Sequence, residues 1–399
     1  PSEQVPLSEC VNRYLSQSVA AQLSIPPFDN AAMDGYVLRS EDVSGASEAS
    51  RVELNICGTI AAGNMTGLRP LEKNECYKIM TGAPIPKGGD TIIPVEDAQV
   101  MNGKLSLQNE LKAGMHIRKA GSDILNGTEL LCEGDRLGVS DLLPLASLGI
   151  GSLQVTKKLS FAFVSTGDEL VDNLSETLQS GQIYNSNQVY AIAYLEGLGA
   201  ICHENFTLKD SSEGFKRVLE EVIADNQVDF IVSSGAVSAG DFDFIKQSLE
   251  DIGAEILFHK VKIKPGKPVL FARLPNGTFY FVLPGNPAAT AAGLRFFVTP
   301  AILSLMGAPE EKPVSCKLGA GLRKQNDLRL FLKAIYNPEA NAISATDGQE
   351  SFKVKPFLSS NGWVIMPEKE TELPIGEVVD FYPEFPDARR ARLVKACCS

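Results

Sequence analysis

The stretch Val228-Asp229-Phe230-Ile231-Val232-Ser233-Ser234-Gly235-Ala236-Val237-Ser238-Ala239-Gly240-Asp241-Phe242-Asp243 decides the fold. VDFIV (228–232) is an apolar run of strand length, a small-residue loop follows, and Phe242, Ile245, Leu249 and Ile252 then recur at helical spacing until Gly253. The same alternation extends to both sides. LSFAFV (159–164) precedes a helix carrying Val189, Ile192, Leu195 and Leu198. A strand near 200–208 precedes one carrying Phe215, Val218, Leu219, Val222 and Ile223, and strand candidates at 268–272 and 278–283 lead to a helix from Pro287 onward. This rhythm implies βαβ units and a largely parallel sheet with helices on both faces.

Outside this region the pattern changes. Residues 30–135 read as short strands broken by turns such as Lys87-Gly88-Gly89-Asp90 and Asn102-Gly103. From about Ser8 to Val19 the spacing of Val11, Leu15 and Val19 predicts a helix. After Gly307-Ala308-Pro309, short strands with interspersed prolines predict a small C-terminal β domain. The expected organisation is multi-domain α/β: 1–155 an N-terminal helix plus a β-rich region, 156–306 the parallel-sheet domain, and 307–399 a β-barrel-like domain.

Composition limits the function. Of 399 residues, 37 are Lys or Arg and 49 Asp or Glu, a net charge of −12, so the chain offers no basic footprint for nucleic acid or acidic lipid. A hydrophobic share of 44% excludes a mainly disordered chain. The eight cysteines are scattered without a C-x-x-C pair, which reads as free thiols in a reducing cytosol rather than a zinc or disulfide scaffold. Neither a secretory leader nor a membrane span is indicated, since Arg295 breaks the most apolar late stretch. The expected location is cytoplasmic.

Ligands of open parallel sheets bind beyond the carboxyl ends of the strands. Ser165-Thr166-Gly167-Asp168-Glu169 reads equally as a capped turn or as a site for metal binding or water activation. The 233–241 loop reads as a tight turn or as a site where small residues let backbone N–H groups approach an anion; Gly235 and Gly240 have phosphate-loop spacing, but Asp241 stands where that motif needs Lys. Asp241 and Asp243 beside such a loop suggest Mg²⁺ bridging to phosphate, or simply acids stabilising a helix dipole. His259-Lys260-Val261-Lys262-Ile263-Lys264-Pro265-Gly266-Lys267-Pro268 reads as a solvated basic face or, with Lys264 and Lys267 at a rigid turn, as an anion site. Leu283-Pro284-Gly285-Asn286-Pro287 closes the set as a strand end running into a helix. Together these loops suit a phosphorylated, metal-assisted substrate.

Eight collinear motifs then resemble one family: PPFDNAAMDGYVLR (26–39), MTGAPIPKGGDTIIPVED (80–97), GSDI (121–124), STGDELV (165–171), GQIYNSNQ (181–188), SSGAVSAGDFD (233–243), IKPGKP (263–268) and LPGNP (283–287). They are similar to the MoeA family of molybdopterin molybdenumtransferases, which includes the gephyrin E domain, over nearly the whole chain. The resemblance implies insertion of molybdate into adenylyl-molybdopterin with Mg²⁺-dependent release of AMP. It implies a homodimer whose active site is shared between subunits, Asp34 and Thr81 reaching across, and possible contact with the molybdopterin adenylyltransferase. Asp123, Glu169, Asp210 and Asp243 become the acids around metal and phosphate, with Glu169 and Asp243 as metal ligands. Lys264 and Lys267 hold the anion. Ser234, Gly235, Ser238, Gly240, Asp210, Pro284, Asn286 and Pro287 become contacts to the molybdopterin substrate.

The sequence departs from the family pattern at Ala236, at Ala289 where a Ser commonly follows PGNP, and at Leu328 and Lys333 where arginines are usual. Glu350-Ser351-Phe352-Lys353-Val354-Lys355 also replaces a small-residue stretch, and the N-terminal segment looks short, as if a turn or more preceded Pro1. Those departures motivate a second reading, a weakened or non-catalytic paralogue serving as a dimeric binding scaffold.

Overall fold

Strands buried on both faces must alternate their side chains between two cores, and the central segment does so in a computed structural model of the chain. Residues 1–63, 69–209, 212–225, 227–235 and 241–386 are described, the side chains of 212 and 241–244 excepted. The chain divides into two compact units, one of Pro1–Gln17, Glu133–Gly138 and Ser152–Ser399, the other of Ser18–Cys132 and Val139–Gly151.

In the first unit the central elements are β1 (Ser160–Thr166), α1 (Ser186–Gly197), β2 (Ile201–Leu208), α2 (Ser212–Asp225), β3 (Phe230–Ser234), α3 (Asp241–Asp251), β4 (Glu255–His259), β5 (Leu270–Arg273), β6 (Phe279–Leu283) and α4 (Pro287–Gly293). The sheet order is β2-β1-β3-β6-β5-β4. β2, β1, β3 and β6 run parallel, while β5 and β4 add an antiparallel edge. Phe161, Phe163, Phe230, Val232, Phe281 and Leu283 pack in one core with Ala191 and Leu195 of α1 and Ala291 of α4. Ala162, Val164, Ile231, Tyr280 and Val282 pack in the other with Phe215 and Leu219 of α2 and Ile245 and Leu249 of α3. The two-sided parallel sheet expected from the alternation is therefore present. β4 was hidden because its five residues run directly into the basic stretch.

The helical run Pro287–Leu305 is long and apolar enough to cross a membrane, but 67% of its most apolar window is buried inside the protein, as in a core helix. Beyond it come β7 (Val314–Leu318), β8 (Arg329–Asn337), β9 (Ala342–Ala345), β10 (Gly362–Met366) and β11 (Val378–Pro383). They form a mixed sheet, and the two-residue strand Ile263–Lys264 joins its edge beside Arg329 and Leu330. Arg295, 1% exposed, donates to both carboxylate oxygens of Glu311 and to the Pro383 carbonyl, which anchors the last strand to the central helices.

The helix expected over Ser8–Val19 does not form. Ser2–Pro6 is a strand paired with Ser152–Thr156, followed by a 3-10 turn at Leu7–Glu9. Asn12 takes a left-handed φ of 67°, which interrupts a helix. The Leu15 amide bonds to the Asp135 carbonyl instead of to its own turn. Three apolar residues at helical spacing match a chain that meets neighbours at intervals equally well.

The second unit is built on a six-stranded sheet in the order Thr91–Pro94, Gly35–Leu38, Glu75–Ile79, Val52–Ile60, Lys104–Leu107, Gln99–Met101. Its core holds Leu38, Leu54, Cys76 and Leu105 on one side and Val37, Ile79 and Ile92 on the other. Gly35 admits no larger residue, because a Cβ there would lie 2.1 Å from the Ile93 carbonyl oxygen. This unit also contains the helix Val139–Ser147.

Candidate active site

The carboxyl ends of β1, β3 and β6 open into a cleft of about 860 Å³ in the first unit. Its wall includes Glu169 from the loop after β1, Lys264 and Lys267 from the turn before β5, and Pro284, Asn286 and Pro287 between β6 and α4. All four loops singled out in the sequence, including the described start of the 233–241 loop, therefore meet at one place. Of the lysines in the basic run, Lys262 is taken by an ion pair of 3.0 Å to Asp327, whereas Lys264 and Lys267 are exposed on the cleft wall. The short strand Ile263–Lys264 is held from below by Ile263, which is buried, so the backbone fixes where Lys264 emerges.

The floor is a directed hydrogen-bond chain. Thr290 donates to the Pro284 carbonyl at 2.6 Å. A hydroxyl has one proton, so in the 3.1 Å Ser234–Thr290 pair Ser234 is the donor. Ser234 in turn accepts from the Asn187 amide nitrogen at 2.9 Å, and the same nitrogen donates to the Gly285 carbonyl at 2.7 Å. Ser234 thus spends its proton inside the protein, tying the end of β3 to the loop after β6. Gly235, also on the cleft, has φ of 115°, and a Cβ on it would come 2.2 Å from the Thr166 carbonyl oxygen. The Thr166 hydroxyl is buried without a hydrogen-bond partner among the described residues.

Asn185 organises the approach to α1. It caps the helix by accepting from the Gln188 amide, and its side-chain nitrogen donates to Asp172 at 2.8 Å. Neither Asn185 nor Asn187 was singled out by sequence reasoning as a site residue. Their signal is the spacing within Tyr184-Asn185-Ser186-Asn187, where one amide caps the helix and the next faces the strand ends.

The departures from the family pattern fall in distinct places. Ala289 and Leu328 line the cleft. Lys333 is 1% exposed with its ammonium 5.2 Å from the Phe357 ring centroid, and burial pulls its pKa down against the field of Glu350. Gln349 accepts from the Lys333 amide and donates to its carbonyl, so the loop carrying Ser351 and Phe352 is fastened at the cleft edge. Lys355 is exposed at the start of a 3-10 turn.

Asp34, Thr81 and Asp123 belong to the second unit. Gly35 pairs with Ile79 across two strands, and this register brings Asp34 beside the turn after Ile79. There the Thr81 hydroxyl and amide each donate to one Asp34 oxygen at 2.7 Å, which holds the Asp34 carboxyl below its ordinary pKa. Asp123 is exposed. Asp210, Ser238, Gly240 and Ala236 lie outside the described residues, as does the side chain of Asp243. Among the described residues no cluster of three or more His, Cys, Asp or Glu is arranged to hold a metal.

Comparisons with known proteins cover both halves of this description. The family described as "MoeA N-terminal region (domain I and II)" matches residues 1–149, and that described as "Probable molybdopterin binding domain" matches 162–304. The molybdopterin molybdenumtransferase of Synechococcus elongatus is 35% identical over 95% of this chain and 93% of its own. That of Bacillus subtilis is 32% identical over 92% of this chain and 86% of its own. A crystal structure of a molybdopterin biosynthesis MoeA protein from Pyrococcus horikoshii superposes with a TM-score of 0.82 at 30% identity, covering 97% of this chain and 95% of that one.

Proposed function

The chain belongs to the MoeA family of molybdopterin molybdenumtransferases, enzymes of molybdenum cofactor biosynthesis, and from that premise we propose that it inserts molybdate into adenylylated molybdopterin and releases AMP. The observation that carries this reading is the convergence of Lys264, Lys267 and Glu169 on one cleft at the ends of parallel strands. Two ammonium groups on a fixed turn, with no ion-pair partner among the described residues, attract an oxyanion, and a carboxylate on the same cleft wall can share a cation.

Magnesium fits this donor set, because Mg²⁺ is usually held by one or two carboxylates plus substrate phosphates rather than by a protein cage. Glu169 would hold it, together with Asp243, and the ion would neutralise phosphate charge as the adenylate is cleaved. The protein's own part is to bind and orient. Lys264 and Lys267 hold molybdate and phosphate oxygens, the chain from Asn187 to Pro284 keeps the Gly285 loop against the end of β3, and Pro284, Asn286 and Pro287 shape the wall. Asp210 and the small residues Gly235, Ser238 and Gly240 complete the substrate contacts in this reading.

The same reading includes a cytoplasmic homodimer in which Asp34 and Thr81 of one subunit reach the cleft of the other, with Asp123 among the acids around metal and phosphate. It includes contact with the adenylyltransferase that supplies the substrate. The scaffold alternative has no observation in its favour beyond the departures themselves. Purified protein given adenylyl-molybdopterin, Mg²⁺ and molybdate should release AMP faster than without molybdate. No AMP release under those conditions overturns the proposal.

A further inference from the structure

The Asn187 side chain has more to offer than a brace. Its nitrogen donates both protons to the protein, to Ser234 at 2.9 Å and to the Gly285 carbonyl at 2.7 Å. A carbonyl oxygen only accepts, so the amide cannot be turned over, and its oxygen is the group left free. That oxygen has no partner among the described residues and belongs to a half-buried residue on the cleft wall. A residue in this condition can meet a ligand only as a fixed acceptor.

Resting on the molybdenumtransferase reading, we propose that Asn187 is a specificity-determining residue whose side-chain oxygen accepts a hydrogen bond from an exocyclic amino group on the substrate's nitrogen heterocycle. Adenylyl-molybdopterin carries two such groups, the 2-amino group of the pterin and the 6-amino group of the adenine, and the chemistry of recognition is the same for both. Sites that bond a substrate N–H reject the analogue lacking it, because the acceptor is then left unpaired. Preorganisation by Ser234 and Gly285 means that little side-chain entropy is lost on binding.

The test uses two probe pairs that differ at the amino position: pterin against lumazine, and AMP against IMP, with dissociation constants measured by calorimetry. Wild-type protein should prefer the amino-bearing member of one pair by about tenfold. In Asn187→Ala that ratio should fall to about one while the other pair's ratio stays put, which also identifies the half of the substrate that Asn187 meets. A brace alone would weaken both members equally and leave every ratio unchanged; that result, or no preference in either pair by the wild type, overturns the inference. Should Asn187→Ala fail to fold, Asn187→Ser, which keeps a donor but lacks the carbonyl oxygen, is read in the same way. Because the constants do not depend on turnover, an Asn187-dependent ratio without AMP release would overturn the transferase reading alone, and AMP release without such a ratio would overturn this inference alone.

Discussion

Thr81 places both its hydroxyl and its backbone amide on the same oxygen of Asp34, each at 2.7 Å. The pair sits in a turn next to two antiparallel strands, so backbone register brings the two residues together and the Thr81 hydroxyl supplies one of the two bonds. Hydrogen bonds to an ionised carboxylate favour the charged form, and the Asp34 pKa is accordingly lowered. The sign follows: the interaction is present at neutral pH and is lost as pH falls through this depressed value. Thr81→Val, which removes the hydroxyl, should move the Asp34 pKa up toward the ordinary aspartate value, and Thr81→Ser should leave it in place. Carboxyl-carbon NMR titration reads the shift directly; an unmoved pKa in Thr81→Val would show that the hydroxyl contributes nothing.

Lys264→Ala and Lys267→Ala should each weaken molybdate binding about tenfold or more, since a charge-assisted hydrogen bond is worth roughly 1.5–3 kcal/mol. The binding that remains should be less sensitive to salt, because one screened charge has gone. Calorimetry at two ionic strengths checks both effects. Lys262→Ala is the control, since Lys262 is engaged with Asp327 and is absent from the cleft wall.

Gly235→Ala should cost about 2 kcal/mol or more in denaturant unfolding, as the new Cβ meets backbone 2.2 Å away at a φ of 115°. Thr166→Val should behave in the opposite sense. Its hydroxyl is buried and unpartnered among the described residues, so replacing it by a methyl group of similar shape should leave stability unchanged or raise it by about 1 kcal/mol.

Glu311→Gln should destabilise the chain by about 3 kcal/mol or more, because it strands the Arg295 guanidinium at 1% exposure. Unfolding curves followed through Trp363, the single tryptophan, check this, since Trp363 packs in the same core as Leu294 and Val298 of the helical run. A loss below about 1 kcal/mol would mean that water reaches the pair.

Much of the site is legible from the chain order of its loops. Parallel strands send their carboxyl ends to one edge, so Glu169 after β1 and the Pro284 loop after β6 were bound to be near each other once the alternation was recognised. Lys264 and Lys267 stand out by their contrast with an acidic chain and by the prolines that stiffen their turn. Asn187 gave no comparable signal, because a polar residue in the first turn of a helix is unremarkable until the partners it meets are known. The Asp34–Thr81 pair rests on residues far apart in sequence, and only the family resemblance named it beforehand.

The sequence by itself determined the two-sided parallel sheet, because strand and helix periodicities are local properties repeated often enough to outweigh accident. It also determined the family, through eight motifs in fixed order. Tertiary structure alone decided that Ser8–Val19 is not a helix, since the Asn12 amide bonds to the Leu137 carbonyl and the Leu15 amide to the Asp135 carbonyl rather than to their own turns. It alone decided that Lys262, unlike Lys264 and Lys267 among the described residues, is engaged in an ion pair, through the reach of Asp327. The direction of the bonds from Asn187 through Ser234 and Thr290 to Pro284 likewise depends on a carbonyl at one end having no proton to give. Local pattern fixes an element when its energy lies within the element; where a backbone bond or a charge finds its partner a hundred residues away, only the folded chain can say.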